Sequence, residues 1–223
     1  MPTIFVSAND TGSGKTWVTA SIVVALAAAG FSVDVVKPVE TGVLPGGAGD
    51  VEFVQETLRK KVALPGRVSV RTLRRFTQPI APVDAAKRDG ETLDFDSLLR
   101  ETNNGPKADW RIVEGAGGLA VPLEEGESPR DWADFAQGLN ADYTVLVVEN
   151  RLGGINQARL LAHYAESRGL HAGWWLNQSA PNVDAAVREI NRVTLRGLAF
   201  PLWAAQTFGS HEIEIEEAQW LPA

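Results

Sequence analysis

The residues able to do chemistry lie in four short stretches. Asn9-Asp10-Thr11-Gly12-Ser13-Gly14-Lys15-Thr16 follows an apolar run at 3–7 and precedes residues 17–29, which are apolar on nearly every face. A strand, a tight turn ending in Gly-Lys-Thr and a buried helix bring backbone N–H groups and a helix N-terminus together on a polyphosphate. In that arrangement Lys15 reaches the β/γ-phosphates and the Thr16 hydroxyl holds Mg2+. Asn9 stands where the pattern has its first Gly, and Asn tolerates φ > 0, so the turn is feasible. Lys37 leaves a second apolar run at 32–36, Asp50 follows a Gly-rich loop, and Glu114 ends the run at 109–113 ahead of Gly115-Ala116-Gly117-Gly118. A carboxylate delivered by a strand beside the phosphate loop joins the Mg2+ shell in phosphoryl-transfer enzymes. On position alone, Lys37 is equally a snorkelling surface lysine, and Asp50 is first of all a helix N-cap.

These groups require an α/β frame. Gly30 ends the first helix, and a strand–helix–strand unit at this spacing implies a parallel sheet with ligands at its carboxyl edge. Further strands are expected at 143–148, 171–176 and 198–202, and helices at 50–58, 94–102, 183–194 and up to Ser167. Alternation near Val68 and Val70 predicts an exposed strand, with Arg67, Arg71, Arg74 and Arg75 on a solvated face. Trp174 and Trp175 read as core. Asn177 leaves their strand with an amide able to meet a base edge, and the absence of Asn-Lys-x-Asp favours adenine over guanine. The helix beginning at Gly153-Gly154-Ile155-Asn156 offers a second anion-binding N-terminus. The expectation is an α/β fold, a mostly parallel sheet flanked by helices in three phosphate-loop NTPase-like layers, forming one domain over residues 1–223.

Composition narrows the function. A chain of 223 residues with 44% apolar residues can bury a sufficient core without staples. A net charge of −7 argues against non-specific nucleic-acid or anionic-membrane partners. The absence of cysteine excludes thiol catalysis and cysteine-ligated metals, and the three histidines show no metal or triad spacing. No signal peptide precedes the first strand and no apolar run approaches the ~20 residues of a membrane span, so a cytoplasmic protein is expected.

The phosphate loop, Lys37-Pro38-Val39-Glu40-Thr41-Gly42, Gly49-Asp50, Val113 to Gly118, Leu152 to Asn156 and Asn177 occur in an order and spacing that resembles the dethiobiotin synthetase family over nearly the full length. The resemblance implies ATP- and Mg2+-dependent closure of a cyclic urea on 7,8-diaminopelargonate with CO2 or bicarbonate, in a homodimer. It places Lys15 and Lys37 beside the transferring group and Thr16, Asp50 and Glu114 around Mg2+. It assigns ATP to Gly12, Ser13, Gly14, Lys15, Thr16, Trp17, Asp50, Glu114, Gly115, Ala116, Gly117, Asn177 and Phe200-Pro201-Leu202. It assigns the diamine to Thr11, Lys37, Thr41, Gly117, Gly118 and, through the adjacent subunit, Gly153, Gly154 and Asn156. Asn9, Gly12 and Val83 depart from residues common in the family. A partition-type ATPase switch shares the loop but requires Lys at the position of Asp10, and the 212–223 segment is acidic where such a switch carries a basic anchor. A cobyrinate-type amidotransferase needs a cysteine nucleophile that this chain lacks.

Overall fold

The computed structural model describes residues 1–62, 68–218 and 220–222. In chain order the elements are β1 (Thr3–Ala8), α1 (Lys15–Ala28), β2 (Val33–Thr41), α2 (Asp50–Lys61), β3 (Val68–Phe76), α3 (Pro82–Arg88), α4 (Phe95–Asn103) and β4 (Trp110–Glu114). They continue as α5 (Trp132–Gly138), β5 (Tyr143–Glu149), α6 (Gly154–Ser167), β6 (Ala172–Asn177), α7 (Ala185–Arg196), β7 (Leu202–Gln206) and β8 (Glu214–Ile215). Among the described residues the strands form one sheet in the order β3-β2-β4-β1-β5-β6-β7-β8, parallel except for β8, which runs antiparallel to β7.

Strands such as Ile4-Phe5-Val6 and Val145-Leu146-Val147-Val148 are buried on both faces, as a parallel sheet between two helical layers demands. One face packs on α1 and α2 through Val18, Ile22, Leu26, Val54 and Leu58. The other packs on α4 to α7 through residues such as Phe95, Phe135, Ala158 and Leu195. Trp174 and Trp175 point to opposite faces and are both fully buried, as expected of core residues. No helix among the described residues is long and apolar enough to cross a membrane.

Four expectations need correction. The second strand does not stop at Val36 but continues to Thr41. β4 pairs with it only over Val33–Val36, so beyond that point one edge of β2 is open, and Pro38, which lacks an N–H, is tolerated there. The last parallel strand begins at Leu202, four residues later than expected, because Leu198 to Pro201 form a turn in which Ala199 has φ 40. Arg71, Arg74 and Arg75 of β3 stay partly exposed but are not merely solvated. They pair with Asp34, with Glu101, and with Glu40 and Glu52 respectively, while Arg67 lies outside the described residues. Finally, the N-cap of α2 is Gly49 and Asp50 is its first helical residue, so the Asp50 side chain is free to act elsewhere.

Candidate active site

The loop after β1 folds back over the sheet edge through Gly12 (φ 81) and Gly14 (φ 90), left-handed conformations that glycine adopts without strain. Asn9, expected to supply a positive φ, does not; its Oδ1 instead accepts from Ser13 Oγ at 3.4 Å. Gly14 caps α1 with no side-chain hydrogen bond, leaving the first-turn N–H groups to face an anion. A Cβ on Gly14 would lie 2.1 Å from Asn177 Nδ2, and that amide donates to Ser13 O at 3.0 Å. Asn177 therefore braces the loop with its nitrogen and keeps its oxygen for other partners.

The charged groups meet on the open edge of β2. Lys37 is 5% exposed, which decides against a snorkelling surface lysine. Its Nζ donates to Glu114 Oε1 at 2.6 Å and Gly115 O at 3.1 Å, and pairs with Asp50 Oδ2 at 2.7 Å. Thr16 Oγ1 donates to Glu114 Oε1 at 2.8 Å, and Lys37 joins that carboxylate to Asp50. Lys15 Nζ donates to the Asp10 carbonyl at 2.8 Å. Burial alone would lower the Lys37 pKa, but Glu114 and Asp50 outweigh it and hold the ammonium above the ordinary lysine value. Burial would raise Asp50, but the Lys37 charge and hydrogen bond hold its carboxyl below the usual range. Lys15 has less compensation: burial, then Lys37, push its pKa down to about 8. Two cations and two carboxylates thus nearly cancel, so attraction for a polyphosphate falls chiefly to the helix N–H groups.

A hard divalent cation fits this donor set. The Thr16 hydroxyl bonds the Glu114 carboxylate, and Lys37 ties that carboxylate to the one of Asp50, so three hard oxygen donors line one hollow. Among the described residues no three acids or histidines form a metal-holding group, so an ion here must take further ligands from phosphate and water, the usual mode of Mg2+.

Asp50 is itself held from behind. Its backbone N–H donates to Glu40 Oε1, while Arg75 Nε donates to Glu40 Oε2 at 2.9 Å. Arg75 also grips Glu52, whose Oε2 accepts the Gly49 N–H at 2.7 Å. Trp132 Nε1 fixes the turn after Glu114 by donating to Ala116 O at 2.7 Å. Of Gly115, Gly117 and Gly118, the last lies against the phosphate loop: a Cβ there would be 2.8 Å from Asn9 O.

Two hollows flank the loop and share Gly12 and Gly14. One, of about 480 Å3, gathers Lys15, Thr16, Lys37, Asp50 and Glu114 with Thr11, Thr41, Ala116 and Gly117. The other, of about 260 Å3, is lined by Trp17, Asn177 to Ser179, Phe208 and Gly209. Phe200, Pro201 and Leu202 belong to neither, a correction to the expected ATP site. Phe200 packs edge-on against Trp174, Pro201 O accepts the Trp174 N–H, and Leu202 is core, all at the amino end of β7. Phe208 and Gly209, just past the carboxyl end of that strand, stand there instead. Sequence reasoning does not reach them while the apolar run 198–202 reads as the strand; the proline at 201 is the signal against that reading. Glu40 and Arg75, 35 residues apart, carried no local signal. Gly153, Gly154 and Asn156 open α6 outside both hollows, and the Gly154 N–H already donates to Arg151 O at 3.0 Å.

A family model described as an AAA domain matches residues 2–198. An ATP-dependent dethiobiotin synthetase BioD from Corynebacterium glutamicum (strain R) is 38% identical over 100% of this chain and 96% of its own length. One of the same name from Frankia casuarinae is 37% identical over 89% of this chain and 80% of its own. Among solved structures, the chain is similar to the signal recognition particle 54 kDa protein from Aeropyrum pernix K1 in complex with GDP. The match has TM-score 0.58 and 16% identity over 97% of this chain and 44% of that one. The septum site-determining protein MinD complexed with Mg-ADP from Pyrococcus horikoshii OT3 matches with TM-score 0.52 and 18% identity over 92% and 81%. At such identities the two structures speak for the fold alone, a three-layer phosphate-loop NTPase-like one.

Proposed function

This chain belongs to the ATP-dependent dethiobiotin synthetase family and is an ATP-dependent ligase of biotin synthesis, and on that premise we propose how its residues work. The substrate is 7,8-diaminopelargonate. One amine adds CO2 to give a carbamate and a proton. A carbamate oxygen attacks the γ-phosphorus of ATP, the bond to the β-γ bridging oxygen breaks and ADP leaves. The second amine attacks the carbamoyl carbon, the C–O bond breaks, and phosphate departs as the cyclic urea closes.

The observation that carries this reading is the convergence of Lys15, Thr16, Lys37, Asp50 and Glu114 around the larger hollow. A carbamate is unreactive toward amines until its oxygen is phosphorylated, and phosphoryl transfer depends on electrostatic assistance in a site that excludes water. Lys37, buried and held ionised, supports a positive charge at the carbamate and the transferring group; Lys15 serves the β/γ-phosphates. Thr11 and Thr41 offer hydroxyls to the diamine or its carbamate. Mg2+, held by Thr16, Asp50 and Glu114, would neutralise phosphate charge. Both amines belong to one molecule, so ring closure gains from proximity. We further infer a homodimer in which the start of α6, with Asn156 exposed, takes the substrate carboxylate of the adjacent subunit; an active monomer in solution would contradict this part. The reading as a whole is tested by ATP-dependent fixation of labelled CO2 into a ring on 7,8-diaminopelargonate. One ADP per ring is expected, and no ring product would overturn it.

A further inference from the structure

The smaller hollow has a wall whose position is fixed from a distance. Trp17, the residue after Thr16, lines it together with Phe208. Its indole N–H donates to Ser210 O at 2.9 Å, and its ring stacks on the His211 imidazole at 4.0 Å with 10° between planes. Phe53 of α2 leans on the same indole at 5.7 Å. His211 Nδ1 shares a hydrogen bond of 2.8 Å with Ser21 Oγ, one turn along α1 from Trp17. Ser21 Oγ also receives Gln206 Nε2 at 2.8 Å, and Gln206 Oε1 receives the N–H of fully buried Trp175 at 2.9 Å. A continuous set of contacts therefore runs from the core of the sheet, through the segment after β7, to the indole. Left without that segment, a tryptophan in the first turn of a helix would choose among rotamers, and a ligand would have to order it on binding.

We propose that His211 is a positioning residue for nucleotide binding: with the Ser210 carbonyl it fixes Trp17 as one wall of a nucleobase cavity, so that the segment after β7 sets nucleoside affinity while touching neither the phosphates nor the reacting atoms. The proposal rests on the two hollows forming one ATP site, phosphates in the larger and base in the smaller. It explains why an exposed carboxyl-terminal segment is tied by hydrogen bonds to the strand and helix that carry the phosphate loop.

The test separates base from phosphate by titrating purified protein with ATP and with inorganic tripolyphosphate, which has no base. His211→Ala should weaken ATP roughly tenfold, the loss of one aromatic contact and the order it imposes, and leave tripolyphosphate unchanged. KM for ATP should rise by the same factor with kcat at saturating ATP unaltered. His211→Phe keeps the ring and loses only the Ser21 bond, so it should recover most of the ATP affinity. Equal weakening of both ligands, or of neither, in folded His211→Ala protein would overturn the proposal. Equal affinity of the native protein for ATP and tripolyphosphate would remove the base cavity itself, and the proposal with it.

Discussion

On the phosphate side of the loop, buried charges hold one another: Lys37 lies within 2.7 Å of two carboxylates, and all three side chains come from different elements. On the base side the wall is neutral, made of Trp17, Phe208 and Asn177, and what fixes it is stacking and a few neutral hydrogen bonds. The difference has an energetic cause. An ionised group taken out of water must be paired within hydrogen-bond reach, so each of its partners becomes indispensable. An aromatic wall is held by many weak contacts, and losing one leaves the others in place. Changes on the phosphate side should therefore be severe and affect catalysis, while those on the base side should be graded and affect affinity.

Lys37→Ala carries the largest expected effect. Removing the cation should lower turnover by about a thousandfold, because the positive charge on the transferring group is lost. It should also cost about 3–5 kcal/mol of stability by leaving Glu114 buried without its cation. Turnover is read on protein shown by ADP binding to be folded; near-normal rates would place Lys37 outside the reaction.

Asp50→Asn comes next. Asp50 is not the cap, Gly49 is, and Glu40 and Glu52 satisfy the N–H groups there. Loss of a cap should therefore cost nothing, but replacing the carboxylate that pairs with buried Lys37 at 2.7 Å by a neutral amide should lower stability by about 1–3 kcal/mol. The Mg2+ concentration giving half-maximal activity should rise by about tenfold or more, an amide being a poor hard-cation ligand. An unaltered Mg2+ curve would return Asp50 to a purely structural role.

The two sides also differ in pH response, since only the phosphate side carries a lysine whose pKa is pushed from 10.5 to about 8 by burial and by Lys37. Without nucleotide, burying the charged Lys15 opposes folding below about pH 8. That opposition is lifted as pH rises from there toward 10.5, so this group makes stability increase across the window. ATP requires the ammonium, so its affinity should fall above pH 8 by up to roughly tenfold per unit. Lys15→Met should bind ATP more weakly throughout and lose that slope in a titration at several pH values.

The smallest effects distinguish the two ends of β7. Phe208→Ala, half-exposed at the base cavity, should raise KM for ATP by about three- to tenfold with thermal stability unchanged. Phe200→Ala, packed on Trp174, should lower stability by about 2–3 kcal/mol and leave KM for ATP alone. The reverse pattern would restore Phe200 to the nucleotide site.

This contrast also decides what could be read from the chain. The phosphate side is legible where its chemistry is local in sequence: Gly14-Lys15-Thr16 at a strand-to-helix turn and Glu114 at a strand end declare their positions, whereas Lys37 lies within β2. The alternatives left open at Lys37 and Asp50 were closed only by the pairing of β2 with β4 and by Gly49 as cap. The base side was not legible because it depends on where a short Ala-rich strand begins and on contacts between Trp17 and His211, 194 positions apart along the chain. The arginines of β3 were misjudged for a similar reason. An edge strand reads as solvated until Asp34, Glu40 and Glu101 are seen to lie beside it.

The central claim, that the charged cluster activates a carbamate by phosphoryl transfer, has a direct isotopic test. When the diamine, ATP and CO2 labelled with 18O react in unlabelled water for less time than CO2 needs to exchange, the attacking carbamate oxygen stays on phosphorus after the ring closes. The account predicts one CO2-derived oxygen in each inorganic phosphate released, in step with ring formation. Phosphate free of that label, with ring closure still proceeding, would contradict it.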